Sequence, residues 1–221
     1  MTVRAQLGRH DRKVMDNIMG FINGIKPYNY LELGSYLGAS LVAHLKNPHC
    51  QVVMSIDKRS KGKILDERMI DYAYNETTQD MIDELVKHNV PLDKLITLEG
   101  TIDDLASDRL YDLAFIDAEH TNSAVLHDAT KCLEHLAQDA IIMFHDDWIV
   151  FTGIEKFEDH VLELAMHARK FKMPHSDITA MVFGGYVDLF NQKFGSGCEN
   201  WQKFRDQAAQ RLEKIKSKHK G

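Results

Sequence analysis

Acidic and histidine side chains gather at a few points of this sequence, each just after a short apolar run. Asp117 and His120 follow YDLAFI, and His145, Asp146 and Asp147 follow AIIMF at once. Carboxylates that meet in one pocket repel unless something positive joins them. A hard divalent ion such as Mg²⁺, bound through oxygens and retained waters, is the natural answer. Zinc would prefer histidine and cysteine, and no cysteine is near. Such an ion can hold two oxygens of a substrate diol, or one alkoxide, and lower that hydroxyl's pKa. His120 can then take the proton, since its ordinary pKa of about 6.5 lies near working pH. A structural histidine bonded to a carbonyl is the plainer alternative, and spacing does not separate the two.

A second constellation opens the chain. In residues 28–46 an apolar run (Tyr30, Leu31, Leu33) leads into Glu32-x-Gly34-x-x-x-Gly38, and a helical pattern starts at Ala39. Strand, glycine turn and helix form the βα unit that binds nucleotides in open α/β sheets. The glycines let backbone approach a ligand, and the helix presents free N–H groups. The spacing is not the G-x-G-x-x-G of dinucleotide dehydrogenases. A carboxylate at Glu32 disfavours a pyrophosphate and suits a ligand carrying an ammonium group and no phosphate, as S-adenosylmethionine does. The bland reading is a tight turn with no ligand. Asp57 ends the next apolar run, about twenty residues on, where an acid accepts hydrogen bonds from ribose hydroxyls.

The elements that must position these groups follow from period. An amphipathic helix over 10–24 carries Val14, Ile18, Phe21 and Ile22 on one face and ends before Pro27. Strands are expected at 51–56, 95–98, 110–116 and 140–144 besides the first. Helices are expected at 39–45, within 61–89 with a break near 75–77, at 122–137, 154–169 and 198–218. The runs 178–183 and 186–190 flank Gly184-Gly185 and suggest a β-hairpin. Alternating strands and helices imply an α/β, Rossmann-like doubly wound, mostly parallel sheet, here with a C-terminal antiparallel hairpin. Its ligands belong beyond the carboxyl ends of the strands. Glu32, Asp57, Glu99-Gly100-Thr101, Asp117 and His145-Asp146-Asp147 all fall at such ends. A single acid there is usually a cap or turn residue; a succession of them is harder to dismiss.

Composition bounds the rest. The chain has 221 residues, 44% hydrophobic and 27% charged, enough for one domain with a real core. We divide it into a helix within 1–27, a cofactor-binding core at 28–153 and a helix, hairpin and terminal helix at 154–221. The net charge of −6 makes nucleic acid an unexpected partner. No apolar run is long enough for a membrane span. Three widely separated cysteines, Cys50, Cys132 and Cys198, suggest reduced thiols in the cytoplasm.

With these positions placed, the chain resembles class I S-adenosylmethionine-dependent methyltransferases, in particular the catechol O-methyltransferase-like, metal-dependent branch. LELGSYLGAS (31–40) is similar to that family's first motif, SIDK (55–58) to its second, and EGTIDDL (99–105) to its adenine-side loop. The resemblance implies that Glu32, Gly34, Ser35, Tyr36, Gly38 and Ser40 serve the methionine part of the donor, with Ser40 reaching its carboxylate. It implies Asp57 and Lys58 for the ribose side, Thr101 and Ile102 near the base, and Asp117 at the far edge of the donor site. FIDAEHTN (115–122) and IIMFHDD (141–147) resemble the metal and catalytic segments, with Asp117, Asp146 and Asp147 as metal ligands, Mg²⁺ or another divalent cation, and His120 and His145 in catalytic roles. His120 falls where catechol-type enzymes carry a lysine, and Asp147 where they carry asparagine. The pair also resembles bacterial sugar and natural-product O-methyltransferases with an Ile-Asp-x-x-His segment.

The expected reaction is methyl transfer to a hydroxyl of a small-molecule acceptor. An NAD-dependent oxidoreductase, a non-catalytic adenosine-binding protein and a metal-dependent hydrolase built on His145-Asp146-Asp147 are the rivals. The acceptor has no readable code, and a homodimer through the hairpin and terminal helix is left open.

Overall fold

Strand register does most of the positioning in this protein. The computed structural model describes Val3 and residues 7–59, 64–72 and 75–219. In chain order the elements are α1 (Arg9–Asn23), β1 (Tyr28–Leu33), α2 (Leu41–Lys46), β2 (Cys50–Asp57), β3 (Ile64–Leu65), β4 (Asp71–Tyr72), α3 (Thr78–Lys87), β5 (Leu95–Glu99), β6 (Tyr111–Ile116), α4 (Asn122–Cys132), β7 (Leu136–Phe144), α5 (Asp147–Glu163), β8 (Ala168–Lys172), β9 (Thr179–Phe183), α6 (Tyr186–Phe194) and α7 (Trp201–His219). Seven strands form one sheet in the order β5-β2-β1-β6-β7-β9-β8, and β3 and β4 pair separately. All neighbours in the large sheet are parallel except β9, which runs antiparallel to both β7 and β8.

The strands are apolar almost without interruption because both faces are covered. Tyr30, Leu113, Phe115, Ile141 and Met143 pack with residues of α1, α2, α3 and α6 on one side. Leu31, Leu33, Ala114, Ile116, Ile142 and Phe144 pack with α4, α5 and α7 on the other. The order reverses between β1 and β6, so their carboxyl ends open the crevice where doubly wound sheets bind ligands.

Several expectations are corrected here. The hairpin lies between β8 and β9, not across Gly184-Gly185, because Tyr186, Val187 and Phe190 take helical spacing and bury one face of α6. Of the helix expected over 154–169, residues 168–169 instead belong to β8, and α5 runs from Asp147 to Glu163. Part of the helical stretch expected over 61–89 is the β3–β4 ladder, and 60–63 and 73–74 lie outside the described residues. Among the described residues there, only α3 keeps helical form, capped by Thr77, whose hydroxyl accepts from Asp80 N at 3.2 Å.

Candidate active site

Backbone hydrogen bonds carry the ladder past the strand ends and fix what stands there. Gly34 N donates to Ile56 O at 2.9 Å, Gly100 N to Asp57 O at 3.1 Å, Asp117 N to Leu33 O at 2.9 Å and His145 N to Ile116 O at 3.1 Å. The loops after β1, β2, β5, β6 and β7 are thereby held side by side. All but the last line a cavity of about 420 Å³, within the usual range for a small-molecule site. Of the residues singled out in the sequence, Gly34, Ser35, Tyr36, Ser40, Asp57, Lys58, Thr101, Ile102, Asp117 and His120 line it.

Asp57 is pre-set by backbone. Its Oδ2 accepts from Tyr36 N at 3.0 Å and its Oδ1 from Arg59 N at 3.1 Å, the geometry of a carboxylate held ready at a strand end. Lys58 reaches across the mouth to Glu119, 2.6 Å away. Arg59 and Glu76 also line the cavity and were not anticipated. Arg59 Nη1 donates to Tyr36 O at 2.5 Å, and the Tyr36 hydroxyl donates to Glu76 at 3.1 Å. Arg59 had a signal available, a cation two residues beyond the strand-end acid.

Glu32 and Gly38 stand behind the cavity rather than along it. The Glu32 carboxyl is fully buried and accepts from Tyr30 Oη and Ser40 Oγ, both at 2.5 Å. Burial, against the pull of the Ser40 and Tyr30 hydrogen bonds, pushes its pKa up to about 8. The negative charge assumed for this corner is thus suppressed while the carboxyl stays dry. Gly38, at φ 79°, faces Met81 and Leu85.

Beside the cavity lies a second group. Asp117 Oδ1 is 3.2 Å from His120 Nε2 and 2.9 Å from His145 Nδ1; Asp146 Oδ2 is 3.4 Å and 3.9 Å from the same nitrogens. Burial by itself would raise the Asp117 pKa, but the charge of His145 and hydrogen bonds from both imidazoles hold it down at about 2. Burial would lower both histidines. Asp117, with Asp146 beside it and Asp11 also facing His145, outweighs that and raises them, His145 to about 11. Asp11 comes from α1 and was not anticipated: its carboxylate lies 3.7 Å from His145 Nε2 while accepting from Gly8 N at 3.0 Å and Asp177 N at 2.8 Å. Across the top, Glu67 N donates to His120 O at 3.0 Å and Glu67 Oε1 accepts from Asn122 N at 2.9 Å, clasping the β3–β4 turn over the His120 loop.

Asp147 does not join this group, contrary to its expected role as a metal ligand. The backbone turns through a left-handed conformation at Asp146 (φ 48°) before α5 begins. Asp147 is left fully buried, accepting from Thr179 Oγ1 at 2.6 Å and paired with Lys172 Nζ at 3.1 Å. Two imidazoles and two carboxylates therefore replace the expected three carboxylates, and that donor set does not suit the hard, oxygen-seeking Mg²⁺.

Residues 31–146 match the family described as a methyltransferase domain. No curated protein matches the chain. Among solved structures, the fold is similar to the calicheamicin methyltransferase CalS11 (18% identity, TM-score 0.59, 81% of each chain covered). It is similar to the O-methyltransferase NovP (10% identity, TM-score 0.60, 78% of each chain). An O-methyltransferase from Bacillus cereus, in complex with SAH, is similar over 80% of this chain and 84% of its own (15% identity, TM-score 0.54). At such identities the likeness establishes the fold.

Proposed function

This chain belongs to the methyltransferase-domain family, and from that premise we propose that it moves the methyl group of S-adenosylmethionine onto a hydroxyl oxygen of a small-molecule acceptor. It is an S-adenosylmethionine-dependent methyltransferase of the class I fold. An NAD-dependent oxidoreductase, weighed above, is set aside by the family.

The donor supplies an electrophilic methyl on a sulfonium. What the protein contributes is placement. In this reading Asp57 accepts from the ribose hydroxyls and Thr101 and Ile102 border the base, which their place on the cavity wall supports. The Gly34–Ser40 turn is positioned around the methionine end. One observation carries the assignment of an oxygen acceptor: Asp117 and His120 belong both to the cavity wall and to the carboxylate–imidazole group. A hydroxyl entering over that group meets polar side chains able to orient it by hydrogen bonding, with the donor cavity directly adjacent. In-line orientation of two bound partners can remove roughly 7–11 kcal/mol of barrier. Since the side chains present do not suit Mg²⁺, no step is routed through that ion.

The test pairs calorimetry with transfer. S-adenosylhomocysteine should bind, and label from methyl-tritiated donor should pass to an acceptor drawn from catechols, phenols and sugars. Binding without transfer to any hydroxyl compound, or preferential transfer to amines, would remove the oxygen assignment. Absence of binding would remove the donor assignment.

A further inference from the structure

Asp117, His120, His145 and Asp146 each offer one ligand atom, and all four atoms lie within 4.8 Å of one another. We infer that this is a binding site for a borderline first-row transition ion, of the Zn²⁺ and Co²⁺ kind, held by two imidazole nitrogens and two carboxylate oxygens.

The geometry has the right scale. Ligands about 2.1 Å from a common ion stand about 3.0–3.4 Å apart, for octahedral neighbours and tetrahedral corners respectively. Going round the group, oxygen and nitrogen alternate at 2.9, 3.9, 3.4 and 3.2 Å. Imidazole with carboxylate suits ions of the iron-to-zinc series, whereas Mg²⁺ keeps oxygen ligands and its own waters. The third carboxylate that would tip the balance toward Mg²⁺ is Asp147, and it is committed to Lys172 and Thr179.

The outer surroundings point the same way. A metal-binding histidine usually presents its other ring nitrogen to a carboxylate, which fixes ring orientation. His145 comes close to this arrangement: Nδ1 lies within the group, Nε2 stands 3.7 Å from Asp11, an ion-pair separation longer than a hydrogen bond, and its side chain is only 7% exposed. Asp11 is anchored by two backbone N–H donors, making it a positioning residue for His145. The ligands stand at the ends of adjacent parallel strands, β6 and β7, whose register is fixed by backbone. Four protein ligands leave a further position on an ion that expands its coordination, which is where an acceptor hydroxyl would arrive. That last role rests on the function proposed above; ion binding does not. With one nitrogen of each imidazole facing the ion, His120 and His145 act as ligands and not as proton acceptors.

The experiment uses tag-free full-length protein, stripped with chelator and dialysed against Zn²⁺, Co²⁺, Mn²⁺ or Mg²⁺ alone. One Zn²⁺ or Co²⁺ per chain should be retained, Mn²⁺ more weakly and Mg²⁺ weakest, and Co²⁺ should give visible ligand-field bands. His120→Gln should weaken Co²⁺ at least about tenfold and alter those bands, and Asp11→Asn should weaken it about 10–100-fold. His49→Gln, an exposed site elsewhere, should change neither. Should His120→Gln fail to fold, Asp146→Asn gives the same comparison. Mg²⁺ binding as tightly as Zn²⁺, or wild-type Co²⁺ affinity and bands in the His120 variant, would overturn the site. S-adenosylhomocysteine affinity on the same samples separates the two readings. Cofactor uptake without metal uptake defeats only the metal site, and metal uptake without cofactor uptake defeats only the proposed reaction.

Discussion

Gly34 lies against the backbone of Asp117 so closely that a Cβ on Gly34 would stand 2.2 Å from the Asp117 carbonyl oxygen. The first loop of the donor cavity and the loop that leads to the carboxylate–imidazole group are thus packed directly on each other. The glycine there serves loop-on-loop contact as much as approach to a ligand, and its φ of 88° is one that side chains resist.

Gly34→Ala should therefore disturb both sites together. The left-handed backbone alone costs about 1–2 kcal/mol, and the clash is with backbone that cannot rotate away. Gly38→Ala shares the unfavourable φ but meets the flexible Met81 side chain at 3.1 Å, so it should be milder. Urea unfolding and S-adenosylhomocysteine calorimetry on the two variants check this. Equal effects would mean that the Asp117 contact is of no consequence.

Asp57→Ala removes the carboxylate that is expected to accept from the ribose. Hydrogen bonds to a charged group are worth about 1.5–3 kcal/mol, so affinity for S-adenosylhomocysteine should fall roughly ten- to a hundredfold. Titration calorimetry reads it directly. An unchanged dissociation constant would move the ribose elsewhere in the cavity.

Asp147→Ala should act on stability and leave ion binding alone. Removing one partner of a buried pair leaves the Lys172 charge with only the carbonyls of Met173 and Ser176, at a cost of up to about 3–5 kcal/mol. For a chain of this size that lowers Tm by roughly 6–20 °C. Thermal unfolding and Co²⁺ uptake on the same variant decide the matter. Full stability with lost uptake would restore Asp147 as a ligand.

Glu32 gives a pH dependence with a definite sign. Its folded pKa, about 8, lies above the ordinary 4.5, so the folded state holds the proton more tightly. The stability this confers is complete below pH 4.5 and is lost as pH rises through about 8. Glu32→Gln is neutral throughout, so its Tm should decline less than that of the parent between pH 5 and 9. A gap between the two proteins that stays constant with pH would show that the carboxyl keeps its charge when folded.

Fold and cavity were legible because strand, glycine turn and helix leave separate marks in sequence. Uninterrupted apolar runs such as AIIMF belong to strands buried on both faces, and a polar residue ending each run marks the ligand side. The misplaced hairpin shows the limit. A short apolar run such as Tyr186–Phe190 fits strand or helix, and only packing of Tyr186 and Phe190 against Phe21 settles it as helix.

Sequence by itself thus determined which side chains follow which strand, and so which residues share one end of the sheet. Tertiary structure decided where those side chains point. His145, Asp146 and Asp147 are neighbours in the chain, yet the first two turn to Asp117 and His120 while the third turns to Lys172 and Thr179. The left-handed turn at Asp146 and the start of α5 set those directions, and adjacency along the backbone carries no information about them. Asp11 reaches His145 only because α1 packs across the sheet, a contact no local pattern could have announced.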